Sequence, residues 1–411
     1  MAKKKKLSFY LVDDDPVVLE AMAKLLKDAG NSVTTSHKSA GILGDIARKK
    51  PDCVISDLMM PEVDGLQLCA AVRAHKALKN TKFIVVSAKA YEFDQKRSYE
   101  FGAHAYIRKP VNPDTFVDKI RRIFDDHIDM RFWGVRGTLP VSGPNALRYG
   151  GNTSCVTLEF PRQQFFIFDC GSGIKNVGDW LKTQNRKRLT FKIFISHPHW
   201  DHINAFPFFG PLYQQGNEVE VLGANQGDIS MRQIVSAQME GVYFPITLSE
   251  FAARVYFHDL EEETLQVDGI TVKTKLLSHP GKALGYRVEY NGRAVCYITD
   301  NEMFVETSDF YDPHYEKRLA EFVGGADALI TDTTYSDEEY KSKEGWGHSC
   351  VSKVVNLADM AGVKNLYLFH HDPDQFDDDI DRKHDTAVAM LKKRHSKTKC
   401  LAPREGQAFK V

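Results

Sequence analysis

Residues 7–125 alternate short apolar runs with stretches of helical periodicity. The apolar runs predict strands at SFYLV (8–12), SVTTS (32–36), DCVIS (52–56), KFIVVS (82–87) and AYIRK (105–109). Between the first two runs, residues 17–30 carry apolar side chains at helical spacing and end at Gly30, a residue typical of helix C-termini. Alternating strands and helices predict an α/β fold, with a doubly wound five-stranded parallel sheet.

The pattern changes after the helix predicted at 114–127. Beyond residue 128 strand-like apolar runs dominate, and helical stretches return mainly at 176–183, 228–240 and 349–361. This material predicts two mainly antiparallel sheets covered by helices. The change predicts two domains, 1–127 and 128–411, and no Pro/Gly/Ser-rich linker separates them.

Composition narrows the class of protein. A chain of 411 residues is too long to form a single ordinary hydrophobic core. A composition with 43% hydrophobic and 27% charged residues is typical of a soluble, globular protein. No apolar run approaches the length of a membrane span. A net charge of −1 does not favour a polyanionic partner such as nucleic acid. Seven dispersed cysteines without a CxxC pair indicate reduced thiols, so we expect a cytoplasmic protein.

Polar residues end four of the five N-terminal strands: Asp13 and Asp14, Asp57, Ser87, and Lys109. Because the carboxyl ends of parallel strands share one edge, we expect these side chains to converge. Three crowded carboxylates need a cation, and their oxygens suit Mg²⁺. One carboxylate can then accept a phosphoryl group, which the lysine and serine would stabilise.

This region resembles the receiver domain of bacterial response regulators over residues 7–126. The matching text is LVDDDP (11–16), SDLMMPEVDG (56–65), VVSAKA (85–90) and YIRKP (106–110). The resemblance implies Asp57 as phosphoacceptor, Asp13 and Asp14 as Mg²⁺ ligands, Ser87 and Lys109 as phosphate contacts, and Tyr106 as the switch aromatic. It also implies a sensor histidine kinase or phosphotransfer protein as partner, and a homodimer.

The densest chemical signal is SHPHWDH, residues 196–202, which follows the apolar strand FKIFI. It offers four metal-competent side chains: His197, His199, Asp201 and His202. One short loop cannot wrap a single ion with all four, so we expect His197 and His199 to serve one ion and the other pair a second. These ligand types suit Zn²⁺, Mn²⁺ or Fe.

Further ligands are expected at later strand ends. His279, Asp300 and His370 each follow an apolar strand immediately. A carboxylate such as Asp300 can bridge two cations, which together can clamp the attacking and leaving oxygens of a displacement. His371 is the alternative to His370, and we favour His370 because it comes first after the strand.

Residues 130–411 resemble the metallo-β-lactamase fold with its HxHxDH signature. The similarity is closer to the branch of ribonuclease Z and the cyclic phosphodiesterases, through WGVRGT (133–138), YGGNTSC (149–155), DCGSG (169–173), HWDHINAFPFF (199–209) and GWGHS (345–349). It implies an αββα sandwich. It assigns His197, His199 and His279 to one metal, Asp201, His202 and His370 to the other, and Asp300 to both.

The same resemblance matches His348 to a histidine that assists leaving-group protonation. Ribonuclease Z supports that histidine with the Glu of a His-Glu-Ala-Thr motif, whereas TDTT here places Asp332 at that position, one methylene shorter. We therefore name His348, Asp332 and Asp201 as catalytic candidates. Tyr243 and Phe244 are the candidates for substrate contact, because aromatic faces can stack a nucleobase.

These features predict a response regulator whose output domain is a dinuclear phosphodiesterase controlled by phosphorylation of Asp57. A small diester such as a cyclic nucleotide suits a near-neutral chain better than tRNA does. Two alternatives stay open. One is a metal hydrolase for a thioester, lactone or β-lactam, because fold does not fix function. The other is a non-catalytic module that binds a partner when phosphorylated.

Overall fold

The computed structural model describes residues 6–89, 92–124, 127–161, 164–184 and 188–411. The chain divides into two compact units, Met1–Asp126 and His127–Val411. Part of the predicted helix 114–127, residues 125 and 126, lies outside the described residues. In the described part of the chain, no helix has the length and apolarity needed to cross a membrane.

The first unit is a five-stranded sheet with helices between successive strands. Its strands are β1 (Ser8–Val12), β2 (Ser32–Ser36), β3 (Cys53–Asp57), β4 (Lys82–Ser87) and β5 (Ala105–Arg108), and its helices are α1 (Pro16–Asp28), α2 (Leu43–Lys49), α3 (Gly65–Ala74), α4 (Glu92–Glu100) and α5 (Pro113–Phe124). The order is β2-β1-β3-β4-β5, and every pairing is parallel. The predicted doubly wound parallel sheet is confirmed.

Alternation along each strand explains why both faces of this sheet are covered. Phe9 and Leu11 of β1 belong to one apolar cluster, whereas Tyr10 and Val12 belong to the other. Because successive side chains of a strand point to opposite faces, a strand apolar at every position must be buried on both sides. The helices provide that cover and leave the polar strand ends at one edge.

Helix α1 shows how the local sequence sets element boundaries. The Asp15 carboxylate accepts hydrogen bonds from the backbone N–H groups of Val17 and Val18, which satisfies free donors of the first turn. The helix ends at Asp28, and Gly30 follows with a φ of +86°. This left-handed conformation suits glycine, as the sequence predicted.

The second unit contains fourteen strands and seven helices among the described residues. The strands are β6 (Asp129–Gly134), β7 (Cys155–Glu159), β8 (Phe165–Phe168), β9 (Thr190–Ile195), β10 (Glu218–Ala224), β11 (Arg254–Leu260), β12 (Thr264–Val267), β13 (Ile270–Leu276), β14 (Leu284–Tyr290), β15 (Arg293–Ile298), β16 (Ala328–Asp332), β17 (Asn365–Phe369), β18 (Lys399–Leu401) and β19 (Ala408–Lys410). The helices are α6 (Ile174–Thr183), α7 (Trp200–Ile203), α8 (Met231–Ala237), α9 (Pro313–Val323), α10 (Asp337–Tyr340), α11 (Val351–Met360) and α12 (Asp377–Lys393).

These strands form two seven-stranded sheets, ordered β11-β10-β9-β8-β7-β6-β19 and β12-β13-β14-β15-β16-β17-β18. In each sheet three pairings are antiparallel and three are parallel. The prediction of mainly antiparallel sheets was therefore wrong. Helices α9 and α12, which were not among the main predicted helices, provide crossovers that return the chain to a parallel neighbour.

Aromatic side chains fill the space between the two sheets. Phe168 of the first sheet lies 5.7 Å from Tyr286 and 5.4 Å from Tyr297 of the second, between ring centroids. Separate apolar clusters join each sheet to its own helices. The predicted αββα sandwich is confirmed.

Helix α12 buries a lysine beneath the end of β16. The Lys383 ammonium donates to the carbonyl oxygens of Thr333 at 2.6 Å and Thr334 at 3.0 Å. Burial lowers the pKa of Lys383 from 10.5 to about 7. The lysine thus holds the backbone just after β16. Burial makes the charged form of its ammonium group less favourable in the folded protein.

We predict that Lys383 makes the free energy of unfolding depend on pH in the alkaline range. Between pH 7 and 10 the unfolded chain keeps a proton on Lys383 that the folded protein has released. The free energy of unfolding should therefore rise with pH in this window, by at most about 1.4 kcal/mol per pH unit. Urea denaturation at pH 7, 8 and 9 should show this rise in the parent relative to Lys383→Met.

The matched control is Lys392→Met, which changes an exposed lysine of the same helix. It should leave the pH dependence of unfolding unchanged. A parent-minus-Lys383→Met difference that is flat from pH 7 to 9 would contradict the prediction.

Candidate active site

The first group of candidate ligands sits where β9 meets α7. Strand β9 ends at Ile195 and α7 begins at Trp200, so His197 and His199 lie in the connection. Asp201 and His202 lie in the first turn of the helix. All four residues therefore lie within the six positions from 197 to 202.

The second sheet supplies the remaining candidates from three strand ends. His279 lies shortly after β13, Asp300 after β15, and His370 directly after β17. Asp300 and His370 adopt positive φ angles, +40° and +60°. Non-glycine residues rarely adopt this conformation, and such strain concentrates at functional sites.

One set of ligating atoms combines His197, His199, His279 and Asp300, all within 4.8 Å of one another. His199 Nδ1 lies 3.2 Å from His279 Nε2. The Asp300 Oδ2 atom lies 3.4 Å from His197 Nε2 and 3.8 Å from His279 Nε2. Asp300 Oδ2 therefore faces two of the three imidazoles in this set.

A second set combines Asp201, His202, His370 and the same Asp300. The Asp300 Oδ1 atom lies 3.2 Å from His202 Nε2 and 3.0 Å from His370 Nε2. Asp201 Oδ2 lies 3.1 Å from each of these two nitrogens. The two oxygens of Asp300 thus face different sets, which is the arrangement of a bridging carboxylate.

Hydrogen bonds on the outer side of two imidazole rings orient the inner nitrogens of these rings for cation binding. His202 Nδ1 lies 2.8 Å from the Asp169 carboxylate, and His279 Nδ1 lies 2.9 Å from the Gly347 carbonyl oxygen. These acceptors require protons on Nδ1, so the Nε2 lone pairs face inward. Among the described residues, the buried Nε2 of His197 has no hydrogen-bond partner. Lone pairs and carboxylates that converge in this way require positive charge between them.

Burial keeps the three imidazoles of the first set uncharged. It lowers the pKa of His197 well below the usual value, and lowers the pKa of His199 and His279 as well. Burial alone would raise the pKa of Asp300, but the nearby imidazoles, His202 foremost, hold it well below its usual range. Neutral imidazoles and an ionised carboxylate are the forms that bind a metal ion.

Asp169 supports the site and carried no predicted role. One carboxylate oxygen accepts the Ser196 N–H at 2.7 Å. The other accepts the Ser196 hydroxyl, the Tyr297 hydroxyl and His202 Nδ1, each at 2.8 Å. Its only sequence signal was its place in DCGSG (169–173), directly after strand β8.

The end of WGVRGT (133–138) presses against the second set. The Thr138 N–H donates to Asp201 Oδ2 at 2.8 Å. A Cβ added at Gly137 would lie 2.2 Å from a ring atom of His370, so only glycine fits there. This close contact explains why a glycine occupies position 137, next to His370 of the second set.

His348 lies beside both sets and pairs with Asp332. Its Nδ1 atom lies 3.0 Å from Asp332 Oδ2, so the shorter aspartate side chain reaches the imidazole. The Asn301 and Thr334 N–H groups hold the same carboxylate at 3.0 and 2.9 Å. Burial alone would lower the pKa of His348, but Asp332 raises it to about 9. His348 therefore carries a proton at neutral pH.

His371 lies apart from the two sets. It is buried, its ring centroid is 6.3 Å from that of Tyr149, and its backbone N–H donates to the Val135 carbonyl oxygen. Among the described residues, the metal-competent groups include His370 and leave out His371. Of the two alternatives, the geometry brings only His370 to the site.

The candidates for substrate contact lie in the segment after α8. Tyr243 is exposed, and Phe244 is partly buried with its ring 5.3 Å from that of Phe208. The sequence prediction overlooked two exposed tryptophans close to site residues. Trp200, 80% exposed, lies between His199 and Asp201, and Trp346, 58% exposed, precedes the GHS turn.

In the first unit, three of the predicted carboxylates form a group, Asp13, Asp14 and Asp57, with ligating atoms within 4.8 Å of one another. Lys109 Nζ lies 2.8 Å from Asp13 and 2.9 Å from Asp57. Burial raises the pKa of Asp13. The cluster thus provides the carboxylate oxygens that a cation-binding site requires, and Lys109 lies beside them.

Two further predicted residues lie near this edge. Ser87 ends β4, and its hydroxyl accepts the Lys89 N–H at 3.1 Å. The partly buried Tyr106 donates its hydroxyl to the Lys89 carbonyl oxygen at 3.0 Å. Both side chains therefore hold the same short segment after β4.

Comparisons with known proteins match each unit separately. Protein PilG of Pseudomonas aeruginosa is 30% identical over 115 residues, which cover 28% of this chain and 85% of PilG. Ribonuclease Z of Streptococcus suis is 26% identical over 277 residues, which cover 56% of this chain and 87% of that protein. The metallo-beta-lactamase fold protein YhfI of Bacillus subtilis covers 70% of this chain and all of its own, at 16% identity and a TM-score of 0.50.

At that identity the likeness to YhfI shows the fold alone.

Two family descriptions match the chain, a response regulator receiver domain over residues 9–121 and a beta-lactamase superfamily domain over residues 166–371. The second covers half of the sequence and includes all seven candidate ligands. The chain belongs to the beta-lactamase superfamily, as a metallo-β-lactamase-fold hydrolase fused to a response regulator receiver domain.

Proposed function

We propose that the hydrolase domain cleaves a small phosphodiester, with a cyclic nucleotide as the favoured substrate, under control of Asp57 phosphorylation. The observation that carries the proposal is the position of Asp300, whose two oxygens face two different sets of ligating atoms. Two divalent ions bound there, Zn²⁺, Mn²⁺ or Fe, would act as Lewis acids on the phosphoryl oxygens and lower the pKa of a water molecule.

The protein's own residues would hold and orient this centre. Asp169 fixes the ring of His202 through the outer Nδ1 atom, and the Thr138 N–H fixes Asp201 Oδ2, the oxygen that faces His202 and His370. His197, His202 and His370 are buried, which strengthens the interaction of these imidazoles with charge. A negatively charged diester would therefore be bound in a fixed orientation.

His348 would protonate the leaving oxygen. Asp332 occupies its Nδ1 atom, so Nε2 is the nitrogen left to face a substrate. The pKa of about 9 keeps the imidazole protonated at neutral pH. A proton donor beside the centre favours phosphodiester cleavage over hydrolysis of acyl substrates, whose leaving groups need such help less.

The substrate class is inferred from charge, aromatic surface and relatives. Ribonuclease Z of Streptococcus suis is named for cleavage of RNA, which is also a phosphodiester. A net charge of −1 favours a small substrate over a long polyanion. The exposed rings of Trp200 and Trp346 provide faces for a base, alongside the weaker candidates Tyr243 and Phe244.

The receiver domain would act as the switch. Asp57 would accept a phosphoryl group from a histidine kinase or phosphotransfer partner, with Mg²⁺ held by Asp13 and Asp14. Ser87 and Lys109 would contact the phosphoryl oxygens, and Tyr106 would report the change. We also propose a homodimer through the receiver and a cytoplasmic location.

Metal content and turnover should fall together when the bridging carboxylate is changed. The parent should bind about two ions per chain and hydrolyse cyclic nucleotides and bis(p-nitrophenyl) phosphate until a chelator is added. Asp300→Asn should lose at least roughly 100-fold in turnover and bind fewer ions. Elemental analysis and steady-state kinetics on the full chain measure both.

The matched control is His314→Ala, an exposed histidine outside both ligand sets. It should keep the parent's metal content and turnover. A metal-loaded parent that cleaves thioesters, lactones or β-lactams but no diester would refute the proposed substrate class.

Removal of the proton donor should affect poor leaving groups most. His348→Ala should slow diesters with an alkoxide leaving group by roughly 100-fold, and p-nitrophenyl diesters much less, because p-nitrophenolate leaves without a proton. Asp332→Asn should also slow alkoxide diesters more than p-nitrophenyl diesters, with a smaller loss of rate than His348→Ala. Rates across a leaving-group series measure this, and an equal loss on all substrates would argue against the role.

Phosphorylation should change turnover only when Asp57 is present. Beryllofluoride or acetyl phosphate with Mg²⁺ should shift kcat/KM of the parent by at least about twofold, and should have no effect on Asp57→Asn. Asp28→Asn, an exposed acid of the same domain, is the control and should respond like the parent. Equal kinetics with and without beryllofluoride in the parent would exclude control by this domain.

A further inference from the structure

Three consecutive residues after β15 contact different parts of the site. Asp300 lies between the two ligand sets, and the Asn301 N–H donates to Asp332, which holds His348. The third residue, Glu302, is only 2% exposed and belongs to neither ligand set. A buried carboxylate requires hydrogen-bond donors, and those donors reveal what it does.

The Glu302 carboxylate accepts three hydrogen bonds from the segment that contains His348. Its Oε1 atom accepts the Tyr340 hydroxyl at 2.8 Å and the Gly345 N–H at 2.7 Å. Its Oε2 atom accepts the Gly347 N–H at 2.7 Å. The carboxylate therefore holds the GWGHS turn, residues 345–349, from inside.

The turn held by Glu302 also supports a candidate metal ligand. The Gly347 carbonyl oxygen lies 2.9 Å from His279 Nδ1, which fixes the orientation of that imidazole. Gly347 has a φ of +87°, and a Cβ added there would lie 2.4 Å from His279 Nδ1. The turn is thus pressed against His279, and a shift of the turn would move the ring.

The other end of the turn is fixed to the same segment. The Ser349 hydroxyl donates to the Asn301 carbonyl oxygen and accepts the Met303 N–H at 3.1 Å. His348 is therefore flanked by Gly347 and Ser349, each bound to residues 301–303. Loss of the Glu302 contacts would free only the Gly345 and Gly347 side.

We propose that Glu302 is a positioning residue that sets both the proton donor and one metal ligand. It places His348 for protonation of the leaving oxygen, and through the Gly347 carbonyl it orients His279 toward the metal. The first part rests on the proposed phosphodiesterase function. The second part concerns metal binding alone and can be tested without any substrate.

The test is Glu302→Gln in the full chain, because glutamine keeps the size but replaces an acceptor oxygen with an NH₂ donor. That donor would face a backbone N–H or the Tyr340 hydroxyl, so at least one contact is lost. We expect Zn²⁺ affinity, measured by competition with a chromogenic chelator, to fall by roughly 10-fold. Turnover of alkoxide diesters should fall by roughly 10- to 100-fold, and of p-nitrophenyl diesters by less than about 3-fold.

Two variants separate positioning from general destabilisation. Glu316→Gln removes a part-buried carboxylate that pairs with Lys353 at 2.6 Å on the helices behind the sheet. It should lower Tm without changing Zn²⁺ affinity or the leaving-group dependence. Tyr340→Phe removes one of the three Glu302 contacts and should show the Glu302→Gln pattern at smaller size.

At saturating Zn²⁺, the double variant Glu302→Gln with His348→Ala should be slower on alkoxide diesters than His348→Ala alone by less than about 3-fold, because only the effect through His279 remains. Parent-like Zn²⁺ affinity together with an equal loss on all leaving groups would overturn the proposal. If the parent hydrolyses no diester, the proposed function fails. A 10-fold loss of Zn²⁺ affinity would then still support the role of Glu302 at His279, and an unchanged affinity would overturn it.

Discussion

The hydrolase domain depends on one electrostatic constraint, the convergence of imidazole lone pairs and carboxylates in a buried space. Asp169 and the Gly347 carbonyl oxygen accept hydrogen bonds from the outer nitrogens of His202 and His279, which leaves the inner nitrogens to face the carboxylates. The nearby imidazoles stabilise the charge of the Asp300 carboxylate, and a cation between these groups would stabilise it further. The donor atoms of this domain therefore fit divalent metal ions, and these hydrogen bonds orient two of the candidate ligands.

The same architectural device serves both domains. In the receiver, Asp57 is the last residue of β3, and in the hydrolase Asp169, Asp300 and His370 all follow strand ends. The last three have positive φ angles, so the chain turns sharply as it leaves the sheet. A strand fixed in a buried sheet holds the start of the turn, and the turn then aims a short side chain with little freedom. Precise positioning thus comes from the sheet more than from the loops.

The sequence was sufficient for elements with a strong local pattern. The parallel receiver sheet follows from apolar runs such as 8–12 and 82–87, and the HxHxDH loop was visible from its spacing alone. The directions of the strands in the hydrolase could not be predicted from local sequence patterns. Their pairing depends on crossovers such as α12, which lie far away in the chain. Asp169 and Glu302 were missed for a related reason. A carboxylate gains a role from donors that folding brings to it, and their spacing in sequence is 27 residues for Asp169 with Ser196 and 45 for Glu302 with Gly347.

The continuity of Asp300, Asn301 and Glu302 restricts how this site can vary. One short segment contacts the metal-competent group, the Asp332 that charges His348, and the turn that contains His348. A displacement of the segment would disturb the candidate metal site and His348 together, so the two cannot be adjusted independently. Differences in substrate choice must then arise where side chains are free of this network. Trp200 and Trp346 are exposed and adjacent in sequence to site residues, so they can change the recognised group without altering the chemistry.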